Sequence, residues 1–168
     1  MNIDQINAPR KPLRLWPGVV AVTLQWLIRF GLPVAAPEAQ FFGFNAQLVA
    51  VIGGLVGGLA IVVWWMFFSR ARWSDRVGAI VVMVVAMVAT RLLTHESIQN
   101  GMMGMMLVVY AIPPTLSLAF VGGAVASRRL SEGPRRAAMV AAIFIGCGVW
   151  TLARTNGILG GASDLEWR

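Results

Sequence analysis

The sequence predicts an all-α integral membrane protein, a bundle of five transmembrane helices with its N-terminus in the cytoplasm and its C-terminus outside. Three observations carry this. The chain of 168 residues is 58% hydrophobic and only 12% charged. Its apolar runs are long and continuous. Its arginines cluster in alternate connections between those runs.

The composition comes first. A mean hydropathy of +0.72 with so few charges leaves too little polar surface to face water, where about a quarter of residues are normally charged. The bilayer is then the solvent. Backbone groups in hydrocarbon must be paired within the protein, which allows only helices or closed barrels. The runs lack the two-residue alternation of a barrel strand, so helices are selected.

The elements follow in order. Residues 1–15 form a polar, basic cytoplasmic tail with Arg10, Lys11 and Arg14. It is too polar, and followed by too poor a cleavage site, to be read as a removed signal peptide. Trp16 and Pro17 open the first span, which is expected to run to about Ala36. The second, about Ala46–Phe68, crosses without a charge and ends in Trp64, Trp65, Phe67 and Phe68, read as an interfacial aromatic belt. The third is expected from Val77 to Leu93, the fourth from Gly101 to Ala126 and the fifth from Ala137 to Ala153. Residues 16–153 are thus the bundle, and 154–168 a glycine-rich outer linker or the start of a following domain.

Lysine and arginine settle the expected orientation. The N-terminal tail and the second and fourth connections hold Arg10, Lys11, Arg14, Arg70, Arg72, Arg76, Arg128, Arg129, Arg135 and Arg136. The first and third connections hold none, and the tail holds Arg154 and Arg168. This bias alternates correctly only with five spans, and it puts the basic side in the cytoplasm. The net charge of +7 is therefore a topology signal, and nucleic acid is not an expected partner.

Few residues carry chemistry. Arg29, Arg91, His95 and Glu96 are charged or titratable at membrane depth, where such groups usually face the bundle interior or a polar cavity. Arg29 and Arg91 both fall roughly 20 Å above the cytoplasmic ends of their spans at about 1.5 Å per residue. Arg91 and His95 share a helix face, Glu96 can neutralise either arginine, and Tyr110 can approach the same layer. The bland reading is an ion pair with snorkelling arginines. The sharper one is a polar site open to lipid that hydrogen-bonds a quinone carbonyl. A proton or ion path is disfavoured, because the inner half of the bundle has almost no ionisable residues and Gln25, Thr23 and Ser117 do not make a relay.

Gly53, Gly54, Gly57 and Gly58 form a small-residue stripe for helix packing, either within the chain or against a partner helix. Pro113 and Pro114 must interrupt the fourth span, with Thr115 and Ser117 placed to satisfy freed carbonyls. Met102, Met103, Met105 and Met106 read as apolar filler, and the single Cys147 as a packing residue. No catalytic residue and no metal site is expected. The lone histidine excludes a bis-histidine haem, and five spans without an internal repeat argue against a transporter.

The opening "RLWPGVVAVTLQWLIRFGLPV", the "WWMFFSRARWSDR" junction, the "RRLSEGPRRAAM" connection and the closing "RTNGILGGASDLEWR" resemble the N-terminal membrane region of bacterial proteins with a PQQ-binding-like β-propeller. Membrane-bound quinoprotein glucose dehydrogenases share this plan. The resemblance implies an anchor in the bacterial inner membrane for a periplasmic propeller, with electrons passing to membrane quinone. It places PQQ only in a following domain, so no PQQ-binding residue is expected in this chain. A non-catalytic subunit of a larger membrane electron-transfer complex, docked through the glycine stripe, is the alternative.

Overall fold

Five helices long and apolar enough to cross a membrane run through the computed structural model, which describes residues 15–41, 43–94, 105–159 and 162–167. They are α1 (Trp16–Ala35), α2 (Ala46–Phe68), α3 (Trp73–Leu93), α4 (Met106–Arg129) and α5 (Glu132–Leu152). Their flanks are lined with exposed Leu, Val, Ile and Phe. Apolar side chains exposed along every helix have lipid as their natural solvent.

The helix ends have local causes. Asn45 caps α2, its Oδ1 accepting from the Leu48 N–H at 2.8 Å, as short polar side chains do at helix starts. At the other end Ser69 donates to the Trp65 carbonyl at 2.6 Å, and Arg70 turns the chain with a left-handed φ of 55°. Arg76 then reaches back from α3. It donates to the Met66 carbonyl at 2.6 Å and the Ala71 carbonyl at 2.9 Å. A cation on the open carbonyls of a helix C-terminus is favourable. Arg76 is therefore the clip of the α2–α3 turn.

Two helices begin a turn or more earlier than the hydropathy places them. α3 starts at Trp73 rather than Val77, and α5 at Glu132 rather than Ala137. Asp75 and Glu132 lie in the first turns, where a negative charge suits the helix dipole. Arg76, Arg135 and Arg136 are consequently on helices, not in loops. Asp75 pairs with Arg136 at 2.8 Å and Arg135 at 3.7 Å, and Arg72 with Glu132 at 3.2 Å. These pairs hold the two arginine-rich connections together at one end of the bundle.

The core sits between α2, α3, α4 and α5. Trp65 meets Phe120 edge-on at 4.8 Å and 83°, and Ile61, Met83, Ile112, Ile143 and Cys147 pack around them. Trp64 and Trp65 are thus interior, and only Phe67 and Phe68 of the expected belt are exposed. Gly18 is the seat of Trp64: a Cβ there would lie 2.5 Å from the indole. α4 and α5 pack through small residues. A Cβ on Gly123 would meet Ala142 at 2.6 Å, and one on Gly146 would meet Ala119 at 2.7 Å.

The α1–α2 connection and the segment after α5 are β-structured. A short ladder pairs β1 (Gln40–Phe41) with β2 (Phe44–Asn45) around Gly43, whose φ of 83° suits glycine. α5 tightens into a 3₁₀ turn at Val149–Leu152 and passes directly into an antiparallel hairpin, β3 (Ala153–Leu159) with β4 (Ala162–Trp167). The ladder shifts register between Thr155 and Gly157. The segment expected as a linker or the start of a following domain contains a strand pair.

Candidate polar layer within the bundle

Two helices widen at matching places. In α1 a π turn spans Leu27–Gly31, and in α4 another spans Met106–Ala111. Each precedes proline, Pro33 in the first case and Pro113–Pro114 in the second. Proline removes a donor and crowds the carbonyl one turn back. Winding the preceding turn as i→i+5 lets the chain absorb this: the Leu32 N–H bonds to the Leu27 carbonyl, and the Ile112 N–H to the Leu107 carbonyl. Such widened turns occur frequently at functional sites.

The two turns carry Arg29 and Tyr110. The Arg29 guanidinium carbon lies 4.2 Å from the Tyr110 ring centroid and 5.0 Å from that of Phe30. Arg29 is only 3% exposed, and its Nε has no hydrogen-bond partner among the described residues. Aromatic faces offset part of the desolvation of a buried cation. One turn along α1, Gln25 is 1% exposed and donates to the Gly54 carbonyl at 2.6 Å. Its Oε1 has no hydrogen-bond partner among the described residues. A buried donor and a buried acceptor are therefore left open at neighbouring levels of one helix.

The glycine stripe makes this approach possible. A Cβ on Gly54 would stand 3.0 Å from Arg29 Cδ, and one on Gly57 2.6 Å from Gln25 Cγ. One on Gly53 would strike Ile28, and one on Gly58 would press on Pro113 at 3.2 Å. The stripe is thus occupied from within the chain by α1 and Pro113. Small residues let polar side chains reach the facing backbone.

Thr115 ties the proline turn together. Its hydroxyl lies 3.2 Å from the Ala111 and Ile112 carbonyls and accepts from Trp150 Nε1 at 2.9 Å. Trp26 Nε1 donates to the Pro114 carbonyl at 3.1 Å. Trp26 and Trp150 therefore brace the turn from α1 and α5. Ser117 is buried one turn below.

The expected site residues are distributed unevenly. Arg29 and Tyr110 are stacked. Arg91 is exposed on the last turn of α3, outside that stack. His95 and Glu96 lie outside the described residues. Sequence reasoning passed over Gln25 and Trp26 as site residues; a buried glutamine four residues before Arg29 on the same face was the available signal. Beside this layer an apolar groove of about 230 Å³ runs between α2, α3 and α4, with Gly58, Met83, Val108 and Pro113 in its wall. Gly58, the position crowded by Pro113 and near Gln25, links the groove to the polar layer.

No protein-family model, curated protein or solved structure matches the chain.

Proposed function

We propose that this bundle is the membrane anchor of a periplasmic PQQ-like β-propeller quinoprotein. It lies in the bacterial inner membrane with its arginine-rich connections in the cytoplasm. It offers membrane quinone a contact at the Arg29–Tyr110 layer. PQQ belongs to the propeller and not to this chain.

The observation that carries the anchoring role is the β3–β4 hairpin, which follows α5 directly at the end opposite the paired arginine connections. A two-stranded hairpin is marginal alone in water and has open edges. It is a natural seat for further β structure. The quinone contact is supported by the chemistry of the layer. Arg29 Nε is a buried open donor, a quinone carbonyl is an acceptor, and the groove beside Gly58 and Pro113 suits an isoprenoid tail. A subunit docking through the glycine stripe is the weaker reading, because α1 and Pro113 already fill that stripe.

Two measurements test the proposal. A photo-crosslinking residue at Ser163, in native membranes, should capture a β-propeller dehydrogenase segment; capture of none refutes the anchoring role. Arg29→Leu should weaken binding of a ubiquinone analogue at least tenfold in a variant that still folds. Unchanged binding removes the quinone contact and leaves Arg29 a packing residue.

A further inference from the structure

A second groove, of about 250 Å³, opens between α3 and α5 at the arginine-rich end. We propose that it binds an anionic phospholipid with a hydroxylated headgroup of the phosphatidylglycerol type. The phosphate lies on Arg135 and Arg136, and part of one acyl chain lies along the groove. This goes beyond the anchoring role and does not depend on it.

The groove is built for an amphiphile. Its inner wall is apolar, from Ala79, Val82, Met139 and Ile143, with Trp65 at the back. Its rim is charged, from Asp75, Arg135 and Arg136. Among the described residues, Arg72, Arg135 and Arg136 pair with Asp75 and Glu132, three positive charges against two negative, and Arg76 adds a fourth positive charge at the same end. Arg72 is taken by Glu132, and Arg76 by the carbonyls that end α2.

The remaining two arginines are only partly engaged. Arg136 Nε donates to Asp75 Oδ1 at 2.8 Å, but Arg135 stands 3.7 Å from Oδ2, beyond hydrogen-bond reach. Asp75 Oδ2 is buried without a hydrogen-bond partner among the described residues. The rim therefore offers open guanidinium donors next to one open acceptor. A phosphodiester accepts from guanidinium forks, and a headgroup hydroxyl donates to a carboxylate. Phosphatidylglycerol carries both beside an acyl chain, whereas free phosphate leaves the apolar wall uncovered. Basic pockets between membrane helices on the cytoplasmic side bind lipid headgroups in this way.

The test is native mass spectrometry of the delipidated protein in mild detergent, titrated with phosphatidylglycerol, phosphatidylethanolamine and phosphatidylcholine of one chain length. Phosphatidylglycerol should bind at least tenfold more tightly than the other two. Arg135→Gln with Arg136→Gln should abolish the preference. Arg128→Gln with Arg129→Gln removes two exposed charges at the same end and should leave it intact. Equal affinity for the three lipids, or equal loss in both double variants, overturns the proposal. Gly78→Leu supplies a readout if the arginine variant does not fold. Gly78 lines the groove and has open space where a Cβ would sit. Leucine there should lower phosphatidylglycerol affinity with every charge retained, and unchanged affinity overturns the proposal.

Discussion

The guanidinium of Arg29 lies over the ring of Tyr110 at 4.2 Å, each residue carried on a π turn that precedes proline in its own helix. The stack is a consequence of backbone winding. Each widened turn accommodates a proline, and the two turns face each other across the α1–α4 contact.

A cation stacked on an aromatic ring away from water contributes about 2 kcal/mol. A double-mutant cycle with Arg29→Gln and Tyr110→Leu, read by unfolding in detergent, should therefore give a coupling of about 1–2 kcal/mol. Additive effects would mean that the two side chains stabilise the bundle independently.

At Gly57 the backbone of α2 leaves room for Gln25 of α1. Adding one methyl there forces Gln25 Cγ from a 2.6 Å approach. Gly57→Ala should destabilise the monomer by about 1–3 kcal/mol. Adding Gln25→Ala should recover the steric part, because the colliding atom is gone. If the stripe instead served a second copy of the chain, Gly57→Ala would change oligomer size and leave monomer stability intact.

Thr115 accepts from Trp150 and covers two carbonyls at the proline turn. Thr115→Val keeps the shape and removes the hydroxyl, leaving the indole N–H unpaired. The indole is only half-buried, so losing this partner costs about 1 kcal/mol. The thermal midpoint should fall, while Thr115→Ser should hold it near the native value.

Asp75 joins α3 to α5 through Arg136 and Arg135. Arg136 is half exposed, so solvent and salt screen the pair. Asp75→Asn should cost about 1 kcal/mol or less at low ionic strength, and the loss should shrink as salt is added. A salt-independent loss would assign the effect to packing around the carboxylate.

The number of helices was legible in the sequence because a span needs about 20 apolar residues and each of these runs is uninterrupted enough to supply them. The ends of α3 and α5 were less legible. Hydropathy treats Asp75, Arg76, Glu132 and Arg136 as loop residues, yet cross-helix pairing and the helix dipole keep them helical. Trp64 and Trp65 were misplaced because tryptophan near a span end usually marks the interface; here Gly18 and Phe120 make room for them inside.

The site was legible in part. Arg29 and Tyr110 stood out as a charge and a phenol at similar depth. Their stacking was not predictable, because it depends on two π turns that shift side-chain positions away from regular helical spacing. The small-residue seam between α4 and α5 left a signal that was passed over. Ala138, Ala142 and Gly146 recur every fourth residue, as do Ala119 and Gly123.

Single-cysteine labelling in intact cells tests the orientation on which the anchoring account rests, in a Cys147→Ala background. A membrane-impermeant maleimide should reach Glu38→Cys and Ser163→Cys from outside, and Ser131→Cys only after the membrane is opened. Labelling of Ser131→Cys in intact cells with Ser163→Cys protected would put the hairpin in the cytoplasm and contradict the account.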